Sequence, residues 1–204
     1  MADDTTSTTT AADTLDSTKY VTVGQPVEGG AAYVSFNPAA TLPDDAAAKA
    51  STFTDFESIG EFSDNGYTKS VSVTSNKFKG WHGSVLLTQI SEEENTFKLE
   101  LTDIDRASVA KVRYGVGNVT TDAEGNITKI DPTTVPSVVT PMFIDELLSN
   151  GRLRRTVFPR PKIDSIDDEA HQKGSLLVYG ITFSCANDDK GRPYYIREAE
   201  PATA

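Results

Sequence analysis

The chain is 204 residues long and carries 19 basic against 30 acidic side chains, a net charge of −11, with an apolar share of 37%. That length suits one domain of ordinary size, and the acidic balance argues against a protein that grips nucleic-acid phosphates over a broad face. No apolar run approaches a membrane span, Asp3 and Asp4 stand where a signal peptide carries basic residues, and the lone Cys185 excludes an internal disulfide or a cysteine-only zinc cluster.

Beyond Met1, residues 1–18 are Thr, Ser, Ala and Asp with Leu15 as the one large apolar side chain. Such a segment buries too little apolar surface to offset its ordering entropy, so a disordered acidic arm is expected there, followed by a single β domain over 19–204. Tyr33-Val34-Ser35-Phe36 starts the strands. Residues 37–54 then form a long connection containing Ala, Asp and Pro, in which Asp44 is placed to cap a helical turn at Ala46-Ala47-Ala48. The Asn-Gly pair in Asp64-Asn65-Gly66 reads as a hairpin turn between 56–62 and a return strand in which Tyr67, Lys69, Val71 and Val73 share a face. After Gly80-Trp81-His82-Gly83, one strand is expected over 84–90 and a second over 96–103, separated by an acidic turn at Glu92-Glu93-Glu94.

One helix is predicted, over 106–114, capped by Asp105 and stopped by Gly115. A Gly-, Thr- and Pro-rich stretch over 117–141 holds a weak hairpin at Gly125-Asn126. Strands follow at 142–148, 152–158, 162–166, 175–185 and 193–197, with turns at Asn150-Gly151 and at Asp188-Asp189-Lys190-Gly191. Many short strands and one helix predict a mostly β protein, a β-sandwich or barrel with one short packed α-helix and long loops.

No catalytic constellation emerges. His82 and His171 are too few and too differently placed for a metal site, and Asp167-Asp168-Glu169 lacks the Gly-pivoted spacing of a calcium loop. Gly115-Val116-Gly117 follows a helix instead of opening one, which reverses the arrangement that phosphate binding needs. Cys185 keeps the phase of core residues and has no histidine partner nearby, so it reads as a small buried apolar group. No carboxylate pair stands out as a glycosidase dyad. The expectation is no enzyme, no cofactor and no metal.

Two features remain. Arg152, Arg154, Arg155, Arg160 and Lys162 concentrate positive charge in an acidic chain; they are candidates for docking an acidic patch of a neighbouring copy, and Asp44 and Asp45 are candidates for the opposing side. Trp81 is expected to be a core or interface anchor.

The passage Ile59-Gly60-Glu61-Phe62, Asp64-Asn65-Gly66, 71–79 and Trp81-His82-Gly83 resembles one in siphophage major tail proteins. Val85-Leu86-Leu87 and Phe97-Lys98-Leu99-Glu100-Leu101 are similar to the next two strands of that family, and 105–114 to its helix. Arg154-Arg155-Thr156-Val157-Phe158-Pro159-Arg160 resembles its basic strand, and Tyr179-Gly180-Ile181-Thr182-Phe183 with 188–195 its closing strands. The resemblance implies a tail-tube fold without a C-terminal immunoglobulin-like domain, and hexameric rings stacked into a hollow tube in the virion tail, assembled in the bacterial host cytoplasm. It implies tape-measure, tail-terminator and tail-tip proteins as partners, and double-stranded DNA that passes through without specific binding, with no membrane. Inner strands would join edge to edge around a ring, and loops such as 37–54 would reach the next ring. The alternative is a β-sandwich binding module that recognises a cell surface or a carbohydrate.

Overall fold

Alternation of apolar and polar side chains carries most of the chain into strands, and a computed structural model describes residues 21–27 and 31–200. The expected arm at 1–18 lies outside the described residues. In chain order the elements are β1 (Gly24–Pro26), β2 (Ala32–Val34), β3 (Glu57–Ser58), β4 (Phe62–Lys79), β5 (Val85–Leu101), α1 (Ala107–Tyr114), β6 (Val119–Thr121), β7 (Ile127–Ile130), β8 (Met142–Leu148), β9 (Leu153–Phe158), β10 (Arg160–Ile166), β11 (Tyr179–Ala186) and β12 (Tyr195–Ala199). They form a six-stranded sheet in the order β12-β9-β8-β2-β3, with β1 also on β8, a four-stranded sheet in the order β10-β11-β5-β4, and the small hairpin β6-β7. All pairings are antiparallel. The protein is mostly β with one α-helix, in the manner of a β-sandwich.

The core follows from the period of two. Phe97, Leu99 and Leu101 of β5 and Tyr179, Ile181 and Phe183 of β11 face Met142, Ile144 and Phe158 of the larger sheet. Phe97 stacks between Phe158 and Phe183, with ring centroids 3.9 and 4.8 Å away. Val109 and Val112 of α1 close one end of this layer. On the other face of the larger sheet, Phe143, Val157 and Tyr195 are covered by Ala40, Leu42, Phe53 and Phe56 from the long connection. The molecule therefore has three layers: connection, six-stranded sheet, four-stranded sheet.

The predicted helix and its stop at Gly115 are present: Gly115 has φ +93° and its N–H bonds the Lys111 carbonyl at 2.9 Å. Its cap differs, because no side chain caps the first turn; Asp103 instead accepts from Arg106 through both its backbone carbonyl and its carboxylate. The hairpin β6-β7 and the strands β8 to β12 stand close to their expected places, although the 175–178 part of the long late strand is outside β11.

Three expectations are corrected. Asp64-Asn65-Gly66 is a bulge inside β4 and not a hairpin turn: Gly66 takes φ +65°, but the chain continues in the same direction, and Ser63 and Asn65 donate to the Glu100 carboxylate at 2.7 and 2.8 Å. Glu92-Glu93-Glu94 is not a turn, since these residues pair with Thr74, Val73 and Ser72 within one continuous strand β5. No Gly or Pro lies between Val85 and Leu101 to break it. Ala46-Ala47-Ala48 is not helical; Asp45, instead of Asp44, accepts the Ala47 N–H in a local turn at 2.9 Å.

Candidate functional site

The arginine strand lies inward more than sequence spacing suggests. Arg155 is 1% exposed. On β9 its side chain shares a face with Val157, so it points under the 37–56 connection. There it donates to both Asp145 oxygens at 2.6 and 2.7 Å and to the carbonyls of Asp45 and Ala48 at 2.7 and 2.9 Å. Its guanidinium lies 4.7 Å from the Phe143 ring centroid and 5.1 Å from that of Phe53. A contact between copies through Arg155 is thus overturned: the group is a latch that holds the connection on the sheet. Arg197 binds the exposed Asp44 beside it, and Tyr195 donates to the Pro43 carbonyl at 2.8 Å. These bonds tie the 43–48 part of the connection to the sheet of its own chain.

The other candidates are on or near the surface. Arg152 and Arg154 share Glu198 at 2.8 and 2.6 Å, and Arg160 binds the exposed Asp189 at 2.7 Å. Lys162 is exposed, without an ion pair among the described residues. Much of the positive charge expected to face a neighbour is therefore neutralised within the chain. Two of the three acidic side chains at 167–169 are likewise engaged: Asp167 pairs with Lys98 at 2.6 Å, and Glu169 takes Arg113 at 2.6 Å and Tyr114 at 3.1 Å.

The four-stranded sheet has two open edges. Among the described residues, β4 pairs on one side only, with β5, and β10 pairs with β11, its outer edge touched only where Pro161 accepts Thr140. The face of this sheet away from the core is rich in hydroxyls: Thr68, Ser70, Thr96, Thr182, Ser184 and Ser165 sit on it by register. Lys98, Lys162 and Glu100 share that face. Asp167 lies over Gly180, where any Cβ would overlap its carboxylate. Hydrogen bonds from Asn65 and Ser63 hold the Glu100 carboxyl below its ordinary range.

The feature that sequence reading missed is the ribbon. Beyond Ser70 and Thr96, β4 and β5 leave the sandwich together and pair out to Lys79 and Val85, a reach of roughly 27 Å at strand rise. The turn at its tip is Gly80-Trp81-His82-Gly83, closed by Gly83 N–H to the Gly80 carbonyl at 2.9 Å. Trp81 is 99% exposed, which overturns its assignment as a core anchor; the tip stands beyond both sheets, where no second layer covers it. Val71, Val73 and Ile90 continue the core-facing side of the sheet as an exposed stripe. Glu92 and Glu94 continue the hydroxyl face. The signal for the ribbon was present as two long stretches without Gly or Pro around one short Gly-bounded turn.

Burial pushes the Cys185 thiol up to about 12, which suits an unreactive side chain packed against the core. His171 is exposed, 3.6 Å from Glu169, and His82 is exposed at the ribbon tip. Among the described residues no group of three or more His, Cys, Asp or Glu side chains is placed to hold a metal, and no helix is long and apolar enough to cross a membrane.

No protein-family model and no curated protein matches the chain. Among solved structures it superposes on a chain of the virion of a native gene transfer agent particle. That match has 11% identity and a TM-score of 0.37, over 72% of this chain and 90% of the other.

Proposed function

We propose that the chain is a non-enzymatic structural subunit of a phage tail tube, assembling through its four-stranded sheet into rings that stack as a hollow conduit. The observation that carries this reading is the pair of open edges on β4 and β10. Natural sheets shorten, cover or bend a long exposed edge because it templates pairing with another chain; among the described residues β4, 18 residues long, pairs on one side only. Joining β4 of one copy to β10 of the next extends the sheet around a ring and pairs the seven residues of β10 with part of the β4 edge.

In such a ring the hydroxyl face lines the lumen. With Glu92, Glu94, Glu100 and Asp167 against Lys98, Arg160 and Lys162, that face carries one more acidic than basic group. A hydroxyl-rich wall with a small acidic excess does not hold a DNA backbone. The remaining partners, namely tape-measure, terminator and tip proteins, belong to this reading through the family resemblance alone. Negative-stain microscopy and sedimentation of the purified protein over a concentration series test it: rings or tubes are expected, and a monomer at every concentration overturns it.

The exposed Trp81 favours a second reading, a binding module that stacks a sugar on the ribbon tip. It is the single tryptophan of the chain, so a change in its fluorescence on titration with oligosaccharides reports on that reading directly. Saturable binding by a chain that stays monomeric would support the module and overturn the tube.

A further inference from the structure

Exposed apolar side chains gather in two places on this chain. Phe78, Trp81, Val85, Leu86, Leu87 and Ile90 occupy the far part of the ribbon. Val116, Val135 and Val138 are each more than half exposed, and with Phe36, Val112 and Ile163 they line a cleft of about 360 Å³ between the end of α1, the 131–141 connection and β10. Clustered apolar surface of this kind marks an interaction site, whereas single exposed apolar residues do not.

The two patches lie at opposite ends of β5. The ribbon departs at the Asn95 end, past the pairs Thr96↔Ser184 and Ser70↔Thr96. The cleft lies toward the other end, because Tyr114 of its wall packs edge-on against Tyr179, the register partner of Leu101. A ribbon held straight by its own pairing therefore points away from the cleft of its own chain. The charges are also complementary between copies. Residues 75–90 contain Lys77 and Lys79 and no carboxylate, which gives +2; taken from the net −11, this leaves −13 on the rest of the chain. An acidic second copy attracts this basic tip, while acidic bodies otherwise repel one another.

We infer that the ribbon tip of one copy, led by Trp81 and Leu86, seats in the Phe36–Val112–Val138 cleft of the next copy along the tube axis, an inference that rests on the self-assembly reading above. A projection at one end and a receptacle at the other make a heterologous contact, which propagates without closing. Large aromatics commonly dominate such contacts by filling a desolvated pocket.

The test pairs two populations of the full chain, one carrying Trp81→Cys and the other Val138→Cys, mixed and treated with a short thiol cross-linker. The expected result is a covalent dimer joining positions 81 and 138, found in the mixture and in neither population alone. In the unmodified chain, Trp81 fluorescence shifts to the blue on assembly. Trp81→Ser with Leu86→Ser leaves the monomer folded, both side chains being exposed, and weakens assembly by about tenfold or more. Rings or tubes whose ribbons cross-link elsewhere would overturn the inference and leave the tube reading standing. A chain that never assembles overturns both. Co-sedimentation of the wild-type monomer with phosphatidylserine vesicles, lost in the double variant, would assign the tip to a lipid surface instead.

Discussion

The Arg155 guanidinium and the Asp145 carboxylate meet through two parallel bonds, Nε to Oδ1 at 2.6 Å and Nη2 to Oδ2 at 2.7 Å, at directly opposed positions of β9 and β8. Removing one member leaves the other desolvated without its partner, which typically costs about 3–5 kcal/mol. Arg155→Met is therefore expected to lower stability by that amount and to speed proteolysis within 37–56, since the Asp45 and Ala48 carbonyls lose their donor. Arg155→Lys does not restore the latch, because one ammonium cannot span acceptors that a planar fork reaches. Urea unfolding with limited proteolysis measures both effects; a variant of unchanged stability with an intact connection would remove the latch.

Trp81→Ala is expected to change unfolding free energy by no more than about 0.5 kcal/mol, as for other surface sites. A core position would cost about 3–5 kcal/mol. Thermal unfolding of the monomer decides between the two.

Reversing charge on the open edge, with Arg160→Glu and Lys162→Glu, leaves the monomer folded. Exposed charges contribute little to the fold, and Arg160 gives up its pair with a mostly exposed Asp189 and a bond to the Asn187 carbonyl at 3.2 Å. Sedimentation is expected to show suppressed ring formation. Full-length tubes from the folded variant would exclude β10 from the interface.

Two glycines separate backbone strain from crowding. Gly66→Ala meets open space but must hold φ +65°, a left-handed conformation that costs a non-glycine residue about 1–2 kcal/mol. Gly60→Ala carries the same kind of strain at φ +78° and also drives its Cβ into the Asp103 carboxylate, which anchors Arg106 at the start of α1. Denaturation is expected to rank Gly60→Ala as the more damaging change.

Acid should loosen the fold in a particular window. Bonds from Arg192 hold the Asp188 carboxyl at about 2 against an ordinary 3.8. The Glu100 and Asp44 carboxyls are also held low, by Asn65 with Ser63 and by Arg197 respectively. Because these folded-state values lie below the unfolded ones, the ionised carboxylates stabilise the fold above about pH 4 and lose that contribution as pH falls toward about 2. Circular dichroism across an acid titration should show declining stability over that range, with a shallower decline for Asp188→Asn.

The late strands were legible because local chemistry agreed with the tertiary outcome. Asn150-Gly151 and Asp188 to Gly191 supply turn residues on either side of clean alternation, and Gly115 supplies the positive φ that ends α1. The ribbon was not legible from the same rules. Asn65-Gly66 carries the same turn chemistry in a bulge as in a hairpin, and only pairing with β5 distinguishes them. A run of three glutamates reads as a turn until its partners, Ser72 to Thr74, are known. Arg155 was misplaced for a related reason: a basic residue in a strand is usually solvated, and its burial depends on carbonyls more than a hundred residues earlier in the chain.

The strand order of the larger sheet also sets the sequence of events during synthesis. β2 emerges early but pairs with β8, whose residues follow more than a hundred positions later. By contrast, β4 and β5 are joined by a short turn and can zip as soon as both have left the ribosome. The ribbon is thus among the first parts to take shape, whereas its proposed receptacle needs Phe36, α1 and β10 together. In the proposed assembly a nascent chain would present a tip before it could accept one, and elongation would wait for completed molecules.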